Sequence, residues 1–193
     1  MQVLRNYIDQ QTRSTISDAD FALVTAELLP YKLRKGEHLL QAGEVCQYFA
    51  FVVQGALRFY TVDARGNKRI HELGVENRWL GDRESWLQLS PSPYFIDAVE
   101  DSQLLLITCP QAQELVRRVP LVGELVRIQD ERNAFESQKR LQAAIACTAE
   151  ERYAAFVAQH PDYLQRFSQP MIASYLGISP ETLSRIRTKL LQV

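Results

Sequence analysis

Two residues near the C-terminus, Glu181 and Arg185, have the types and spacing to recognise DNA bases. They are four residues apart, so a helix would place both side chains on one face. A carboxylate can accept a hydrogen bond from cytosine N4, and a guanidinium can donate two hydrogen bonds to guanine O6 and N7. The same pair could instead form an ion pair on the helix surface and contact no base. The sequence around the pair has to decide between these alternatives.

That sequence predicts two short helices joined by a tight turn. Ser168 is placed to cap the first helix, and Gly177 can adopt the left-handed conformation that ends it. Ser179 can cap the second helix, with Pro180 at its first position. Apolar residues fall where the two helices would face each other, namely Ile172, Leu176, Ile178, Leu183, Ile186 and Leu190. The pattern is typical of a helix-turn-helix and favours base reading by the outward residues Glu181, Ser184 and Arg185.

The charge of the C-terminal segment is also suited to DNA. The chain as a whole has a net charge of -1, but residues 163–193 contain four basic residues and one acidic residue, which gives +3. Only this segment has the sign of charge that attracts phosphate. Within it and its helix ends, the candidates for phosphate contacts are Ser168, Gln169, Ser179, Thr182, Arg187 and Lys189.

A β-rich region precedes these helices. After a short amphipathic helix that begins near Ser17, residues 31 to about 109 contain short runs of β-branched and aromatic residues separated by turn signals. Seven or eight strands at this spacing predict a jelly roll or a barrel. The runs on either side of Gln54-Gly55 are expected to pair as an antiparallel hairpin, and so are those on either side of the loop Asp63 to Lys68.

A long helix of about 25 residues is predicted to start at Pro120, where a proline is tolerated. Leu121, Leu125, Ile128 and Phe135 recur along one narrow stripe, which is typical of a helix that meets a partner helix. We expect a homodimer held together by this stripe. The alternative is that the stripe packs on the β region of its own chain.

Composition excludes several classes of protein. Hydrophobic residues make up 46% and charged residues 23% of the 193 residues, which are values of an ordinary globular chain. No apolar run approaches the length of a membrane span and the N-terminus lacks a signal peptide, so a cytoplasmic location is expected. The three cysteines form no C-x-x-C pair and the three histidines are isolated, so we expect no metal and no haem. Catalytic motifs are absent from the sequence, and we expect the protein not to be an enzyme.

The order of the parts leads to a family resemblance. The chain resembles the Crp/Fnr transcription regulators over nearly its full length, on the segments Tyr31-Lys-Leu-Arg-Lys-Gly-Glu37, Tyr48-Phe-Ala-Phe-Val-Val-Gln-Gly-Ala56 and Ile178-Ser-Pro-Glu-Thr-Leu-Ser-Arg-Ile186. The resemblance implies an α+β fold with a cyclic-nucleotide-binding-type β-roll, a double-stranded jelly roll, in residues 1–119. It implies a dimerisation helix in residues 120–146 and a helix-turn-helix domain in residues 147–193. A homodimer on palindromic double-stranded DNA is implied as well, and activation would require contact with RNA polymerase.

The sequence departs from the family in its effector site. Members that bind nucleotides have a phosphate-binding cassette with Gly-Glu in its first half and Arg-Ser-Ala in its second half. Here Gly81-Asp82 resembles the first half, but Ile96 stands where the arginine is expected and Asp97 follows it. A buried arginine lost from a phosphate site is costly, and Asp97 is expected to repel a phosphate. We therefore expect no cofactor and no cyclic AMP binding in the family's manner, and the effector is unknown.

Four other residues could belong to such a site. Glu136 and Ser137 match the family's adenine-contacting pair on the long helix. Arg78 and Arg83, which flank the cassette, could supply a substitute charge for another anionic effector, although we favour the interpretation that both are solvated loop residues.

A second departure lies at the C-terminus. Many relatives continue into a β-hairpin wing, whereas this sequence ends at Val193, and we expect no wing. Contacts to the DNA backbone would then come from the helices, or from a hairpin that includes residues 163–167. The competing hypothesis is a signalling subunit that senses a small molecule and whose C-terminal helices bind protein rather than DNA.

Overall fold

The computed structural model describes residues 1–190, apart from the side chain of Leu190. The inward position expected for that side chain and any wing at residues 191–193 therefore lie outside the described residues. The N-terminal helices are α1 (Gln2–Thr12) and α2 (Asp18–Ala26). As expected, the Ser17 hydroxyl caps α2 by accepting a hydrogen bond from the backbone N–H of Asp20, at 3.0 Å.

Eight strands between residues 29 and 108 then form two four-stranded antiparallel sheets. They are β1 (Leu29–Leu33), β2 (His38–Leu40), β3 (Tyr48–Gln54), β4 (Leu57–Val62), β5 (Lys68–Gly74), β6 (Trp79–Leu80), β7 (Phe95–Ala98) and β8 (Ser102–Thr108), with α3 (Arg83–Gln88) before β7. The strand orders are β1-β8-β3-β6 and β2-β7-β4-β5. This α+β architecture confirms the expected jelly roll.

One of the two predicted hairpins is wrong. Strands β4 and β5 pair as expected, but β3 and β4 belong to different sheets. Gly55, between them, has φ +107°, and a Cβ atom at this position would lie 2.2 Å from the Ser102 hydroxyl. The chain passes so close to β8 at this point that only glycine fits, and it crosses from one sheet to the other instead of turning back.

The remaining helices are α4 (Cys109–Arg118), α5 (Pro120–Ala146), α6 (Ala149–Gln159), α7 (Tyr163–Arg166), α8 (Gln169–Leu176) and α9 (Pro180–Leu190). Helix α5 begins at the proline, as predicted. Its N-terminal half packs on α1 and α4. Leu125 is 6% exposed, whereas Phe135 is 61% exposed. Packing on its own chain is therefore confirmed for the first half of the stripe, whereas the homodimer seam stays a prediction for the exposed second half.

The buried residues form two clusters. The larger cluster fills the β-roll and joins it to α1, α2, α4 and the start of α5. The smaller cluster joins Tyr60, Ile70 and Leu73 of β4 and β5 to residues of the C-terminal helices, among them Phe156 and Ile172. The helix-turn-helix is thus packed directly against the β-roll. Within residues 1–190 no helix has both the length and the apolarity needed to cross a bilayer.

Candidate nucleic-acid interface and effector site

Helices α8 and α9 form the expected helix-turn-helix. Gly177 ends α8 with φ +67°, in the left-handed region that glycine adopts without strain. Ile172 and Ala173 of α8 and Leu183 and Ile186 of α9 are buried between the two helices. The Ser179 hydroxyl accepts a hydrogen bond from the backbone N–H of Thr182 at 3.2 Å, which caps α9.

Burying Leu183 and Ile186 leaves the opposite face of α9 to solvent. Glu181, Ser184, Arg185 and Thr188 are all exposed on it. The Arg185 guanidinium donates to the Thr182 hydroxyl at 3.3 Å, and the ion pairs found within residues 1–190 do not include Arg185 with Glu181. Hydrogen bonds from its own backbone N–H and from Ser179 lower the pKa of Glu181, so that it is a carboxylate at neutral pH. The face therefore presents a carboxylate acceptor, Glu181, and a cationic donor, Arg185, four residues apart.

The candidate phosphate contacts surround this face. Ser168 stands at the N-cap position of α8 and is exposed, but its hydroxyl makes no capping bond, unlike the prediction. Gln169 and Ser179 are exposed, and Thr182 and Arg187 are half-buried. The Lys189 ammonium is 3.0 Å from the Glu150 carboxylate, in an exposed ion pair that a phosphate could replace.

One expectation about the segment before α8 is wrong, and one of its charges has a partner within the chain. Residues 163–166 form helix α7 rather than a strand of a hairpin, because the backbone N–H of Phe167 bonds to Tyr163 O at 2.9 Å. Arg166, which contributes to the positive charge of the segment, is held by carboxylates of the β-roll. Its Nη2 atom is 3.1 Å from Glu76 Oε1 and 2.8 Å from Glu100 Oε2. One of the four basic residues counted from the sequence is therefore committed to an intramolecular contact.

The residues expected to form a degenerate effector pocket are dispersed. Ile96 is fully buried in the core of the β-roll. Asp97 is 3% exposed, and its carboxylate accepts hydrogen bonds from Arg58 Nε at 2.6 Å and Nη2 at 2.7 Å and from the Tyr60 hydroxyl at 3.1 Å. The charge of Asp97 is therefore paired with Arg58, a contact that the expected repulsion of a phosphate did not take into account. The only sequence signal for the Arg58–Asp97 pair is an arginine on a neighbouring strand. Arg58 lies 39 residues before Asp97 in the sequence.

The first half of the cassette has structural roles. A Cβ atom on Gly81 would lie 2.5 Å from the Phe49 ring, so glycine is required for this close approach. Asp82 is buried and caps α3, because its carboxylate accepts from the backbone N–H groups of Glu84 at 3.1 Å and Ser85 at 3.3 Å. Neither contact needs a ligand.

Glu136 and Ser137 line a polar cavity of about 150 Å³ where β5, α5, α7 and α8 meet. Glu136 is 3.3 Å from Arg78 and 2.9 Å from Arg132. Burial alone would raise the pKa of Glu136, but these two arginines lower it, so the carboxylate stays charged. Across the cavity, burial raises the pKa of Glu72.

Arg83 lines a different cavity, of about 310 Å³ and mainly apolar. The structure thus brings Glu136 and Ser137 together, but it separates them from Arg83 and from Ile96 and Asp97. This larger cavity was not expected from the sequence. Its walls include Leu4 and Ile8 of α1, whose spacing of four residues is the signal that could have indicated that helix.

A β-roll of two antiparallel sheets, a long helix and a C-terminal helix-turn-helix define a class of two-domain DNA-binding regulators. Comparison with known proteins agrees with this class. Residues 30–119 match the cyclic nucleotide-binding domain family. The transcriptional activator protein FnrA of Stutzerimonas stutzeri is 28% identical over 172 residues, which cover 83% of this chain and 69% of FnrA. The activator Anr of Pseudomonas aeruginosa is 25% identical, over 83% of this chain and 69% of Anr.

Solved structures share the fold. FixK2 from Bradyrhizobium japonicum superposes with a TM-score of 0.73 at 20% identity, over 86% of this chain and 85% of FixK2. The catabolite activator protein of Thermus thermophilus gives a TM-score of 0.60 at 21% identity, over 94% of this chain and 87% of that protein. The chain thus contains a cyclic nucleotide-binding domain, and it is similar in sequence to the activators FnrA and Anr and in fold to FixK2 and the catabolite activator protein.

Proposed function

We propose that this protein is a sequence-specific DNA-binding transcription regulator that acts as a homodimer. The observation that carries the proposal is the exposed face of α9, which presents Glu181, Ser184 and Arg185 while Leu183 and Ile186 are buried behind it. The names of the relatives FnrA and Anr, both transcriptional activators, support it.

In this proposal α9 enters the major groove. Arg185 donates to guanine O6 and N7, Glu181 accepts from cytosine N4, and Ser184 contacts a neighbouring base. The phosphate contacts come from the N-terminal ends of α8 and α9 and the exposed side of α9, through Ser168, Gln169, Ser179, Thr182, Arg187 and Lys189. These contacts set the position of α9, and the base contacts provide the specificity.

The second half of α5 supplies the dimer seam. Phe135, Leu141 and Ile145 are 61%, 64% and 79% exposed, although large apolar side chains are normally covered. A twofold axis along this seam would present two copies of α9 to successive major grooves, about 34 Å apart. The operator is therefore a palindrome with half-sites about one helical turn apart, and an activating dimer would also contact RNA polymerase.

The regulator is not an enzyme, carries no cofactor and does not use cyclic AMP in the usual way. Asp97 pairs with Arg58, Asp82 caps α3 and Ile96 lies in the core, so these positions of the cassette are already occupied by contacts within the chain. Calorimetry with cyclic AMP at millimolar concentration is expected to give no isotherm of micromolar affinity, and such an isotherm would disprove this part of the proposal.

The experiment that tests the proposal is selection from random duplex DNA by the purified protein without ligand, near physiological salt. We expect enrichment of a palindrome, and its loss in the Arg185→Ala variant. Arg127→Ala is the matched control. Arg127 is exposed like Arg185, but it lies on α5, where it pairs with the Glu131 carboxylate. If neither ligand-free protein nor protein with added cell extract enriches any sequence, the C-terminal helices do not read DNA and the signalling-subunit hypothesis replaces this one.

A further inference from the structure

The cavity of about 310 Å³ lies outside the position expected for a nucleotide. It is bounded by helices α1 to α5 and by strands β3, β6 and β8. Its walls are mostly apolar, and they include Phe49, Trp79, Trp86, Leu115 and Leu125. Its lining contains neither Ile96 and Asp97 of the cassette nor Glu136 and Ser137 of α5.

The polar groups of the cavity lie at its mouth and in one wall. Arg83 and Asp130 form an ion pair of 2.7 Å, and their side chains are 47% and 41% exposed, so this pair stands where the cavity meets solvent. In the wall, the indole N–H of Trp86 is buried and has no hydrogen-bond acceptor. No other buried side-chain nitrogen or oxygen in residues 1–190 lacks a partner. This nitrogen has almost no accessible surface, so the polar end of a ligand has to be held at the mouth of the cavity.

The size of the cavity limits the ligand. An apolar cavity of about 150 Å³ accommodates benzene. A volume of about 310 Å³ therefore has room for roughly twice as many carbon atoms, about ten to twelve. Arginine N–H groups only donate hydrogen bonds, so a polar end held by Arg83 must accept them.

We propose that this cavity binds a small amphipathic molecule that has an apolar body of about ten carbon atoms and a carboxylate or carbonyl head group held by Arg83. The apolar walls take up the body by the hydrophobic effect. The head group shares the Arg83 guanidinium with Asp130 at the mouth.

A second copy of the chain is a poorer occupant than a small molecule. The exposed apolar residues of α5, which a partner would cover, are Phe135, Leu141 and Ile145, and none of them lines the cavity. The cavity instead uses residues 122–133 of α5, the part that packs on its own chain. Because one rigid helix contains both regions, a bound ligand that moves Asp130 would also move the seam. That regulatory consequence rests on the proposed function, whereas binding of the ligand does not.

The test uses the intrinsic fluorescence of the full chain. Both tryptophans of the protein, Trp79 and Trp86, line the cavity, so a ligand should change their emission directly. Titration with saturated carboxylates of six to fourteen carbons, below micelle-forming concentrations, is expected to give saturable binding of one molecule per subunit. Affinity should rise about fourfold per added methylene until the cavity is full, near ten to twelve carbons. Decylamine should bind at least fivefold more weakly than decanoate, because an ammonium cannot accept a hydrogen bond from Arg83.

Two substitutions should block the cavity. Ala112→Leu fills part of it and should weaken decanoate binding at least tenfold, while Ala154→Leu, on the exposed surface of α6, should not. Val116 lies at the mouth and is 39% exposed, so Val116→Phe should narrow the entrance to the cavity. This variant replaces Ala112→Leu in the test if Ala112→Leu does not fold. Arg83→Gln should remove the preference for decanoate over decanol. The control Arg117→Gln alters an exposed ion pair of α4 outside the cavity and should keep that preference.

Three results would overturn the proposal. The first is the absence of saturable binding by the folded wild-type protein. The second is undiminished binding by both cavity-blocking variants. The third is binding to a monomeric Phe135→Glu variant but not to the dimer, which would identify the partner subunit as the occupant. None of these readouts involves DNA, so failure here is distinguishable from failure of the proposed DNA recognition.

Discussion

Asp97 illustrates how the partner of a single residue determines its role. Its carboxylate is almost completely buried and receives three hydrogen bonds, two from Arg58 and one from Tyr60. The Arg58 side chain is only 16% exposed. A buried ion pair contributes little net stability compared with apolar residues of the same volume, but removing one partner leaves a buried charge uncompensated.

We therefore predict that Asp97→Ala lowers the free energy of unfolding by about 3–5 kcal/mol, measured by urea denaturation. The control Glu131→Ala breaks an exposed ion pair with Arg127 and should cost less than about 1 kcal/mol. The double variant Arg58→Met/Asp97→Leu should recover most of the loss. A single variant as stable as the control would mean that Asp97 does not have this structural role.

Substituting a base-contacting residue of α9 should affect DNA binding differently from substituting a phosphate-contacting residue. Arg185→Ala is predicted to weaken binding to the selected operator by about 1–3 kcal/mol and to relax preference at one base pair. Lys189→Ala should weaken binding equally on all sequences and reduce the slope of log affinity against log salt by about 1. Titrations of both variants at several salt concentrations separate the two effects, and uniform weakening by Arg185→Ala would contradict base reading.

At the scale of elements, α5 has two different halves. Leu125 lies in the core of its own chain, whereas Phe135 and Ile145 are exposed along the second half. We predict that Phe135→Glu, or Ile145→Glu, converts the dimer into monomers, because two carboxylates would face each other across the seam. Light scattering after size exclusion measures this directly. Leu89→Glu, at a leucine that is 68% exposed elsewhere, is the control, and a monomer produced by it as well would argue against the seam.

Elements that depend on neighbouring residues could be predicted from the sequence. The helix-turn-helix follows from Gly177 and Ser179, and the start of α5 follows from Pro120. Features that depend on distant residues could not. The exchange of sheets at Gly55 requires Ser102 nearby, and the capture of Arg166 requires Glu76, 90 residues away. The base-reading and phosphate-contacting roles remain predictions, because they concern a ligand outside the chain.

At the scale of the whole molecule, the helix-turn-helix is docked on β5. The Ser174 hydroxyl accepts from the backbone N–H of Ile70 at 3.0 Å and donates to Lys68 O at 3.0 Å. The Tyr163 hydroxyl donates to Leu73 O at 3.2 Å, and Arg166 joins Glu76 and Glu100. The orientation of α9 relative to α5, and hence the spacing of the two recognition helices in a dimer, depends on these contacts.

The ionic part of this docking should depend on pH with a definite sign. Burial alone would raise the pKa of Glu76, but hydrogen bonds from Arg166 and from the backbone N–H of Gly55 lower it below its usual range. A carboxylate with a lowered pKa in the folded state stabilises that state above its unfolded pKa of about 4.3, and the contribution is lost as the pH falls through the lowered value. The free energy of docking of the helix-turn-helix on the β-roll should thus be constant from about pH 6 to 8. It should become less favourable only below about pH 4.

At neutral pH the same contact can be removed by Arg166→Gln, which we predict weakens docking by about 1–2 kcal/mol. Amide hydrogen exchange should then rise at Ile70 and Gly55, since both N–H groups bond to groups that the docked arrangement holds in place. Arg69→Gln, which removes an exposed ion pair within the β4–β5 hairpin, should leave exchange at Gly55 unchanged. Equal exchange at Gly55 in the two variants would mean that the apolar cluster alone holds the helix-turn-helix on the β-roll. The orientation of α9 would then depend neither on Arg166 nor on pH.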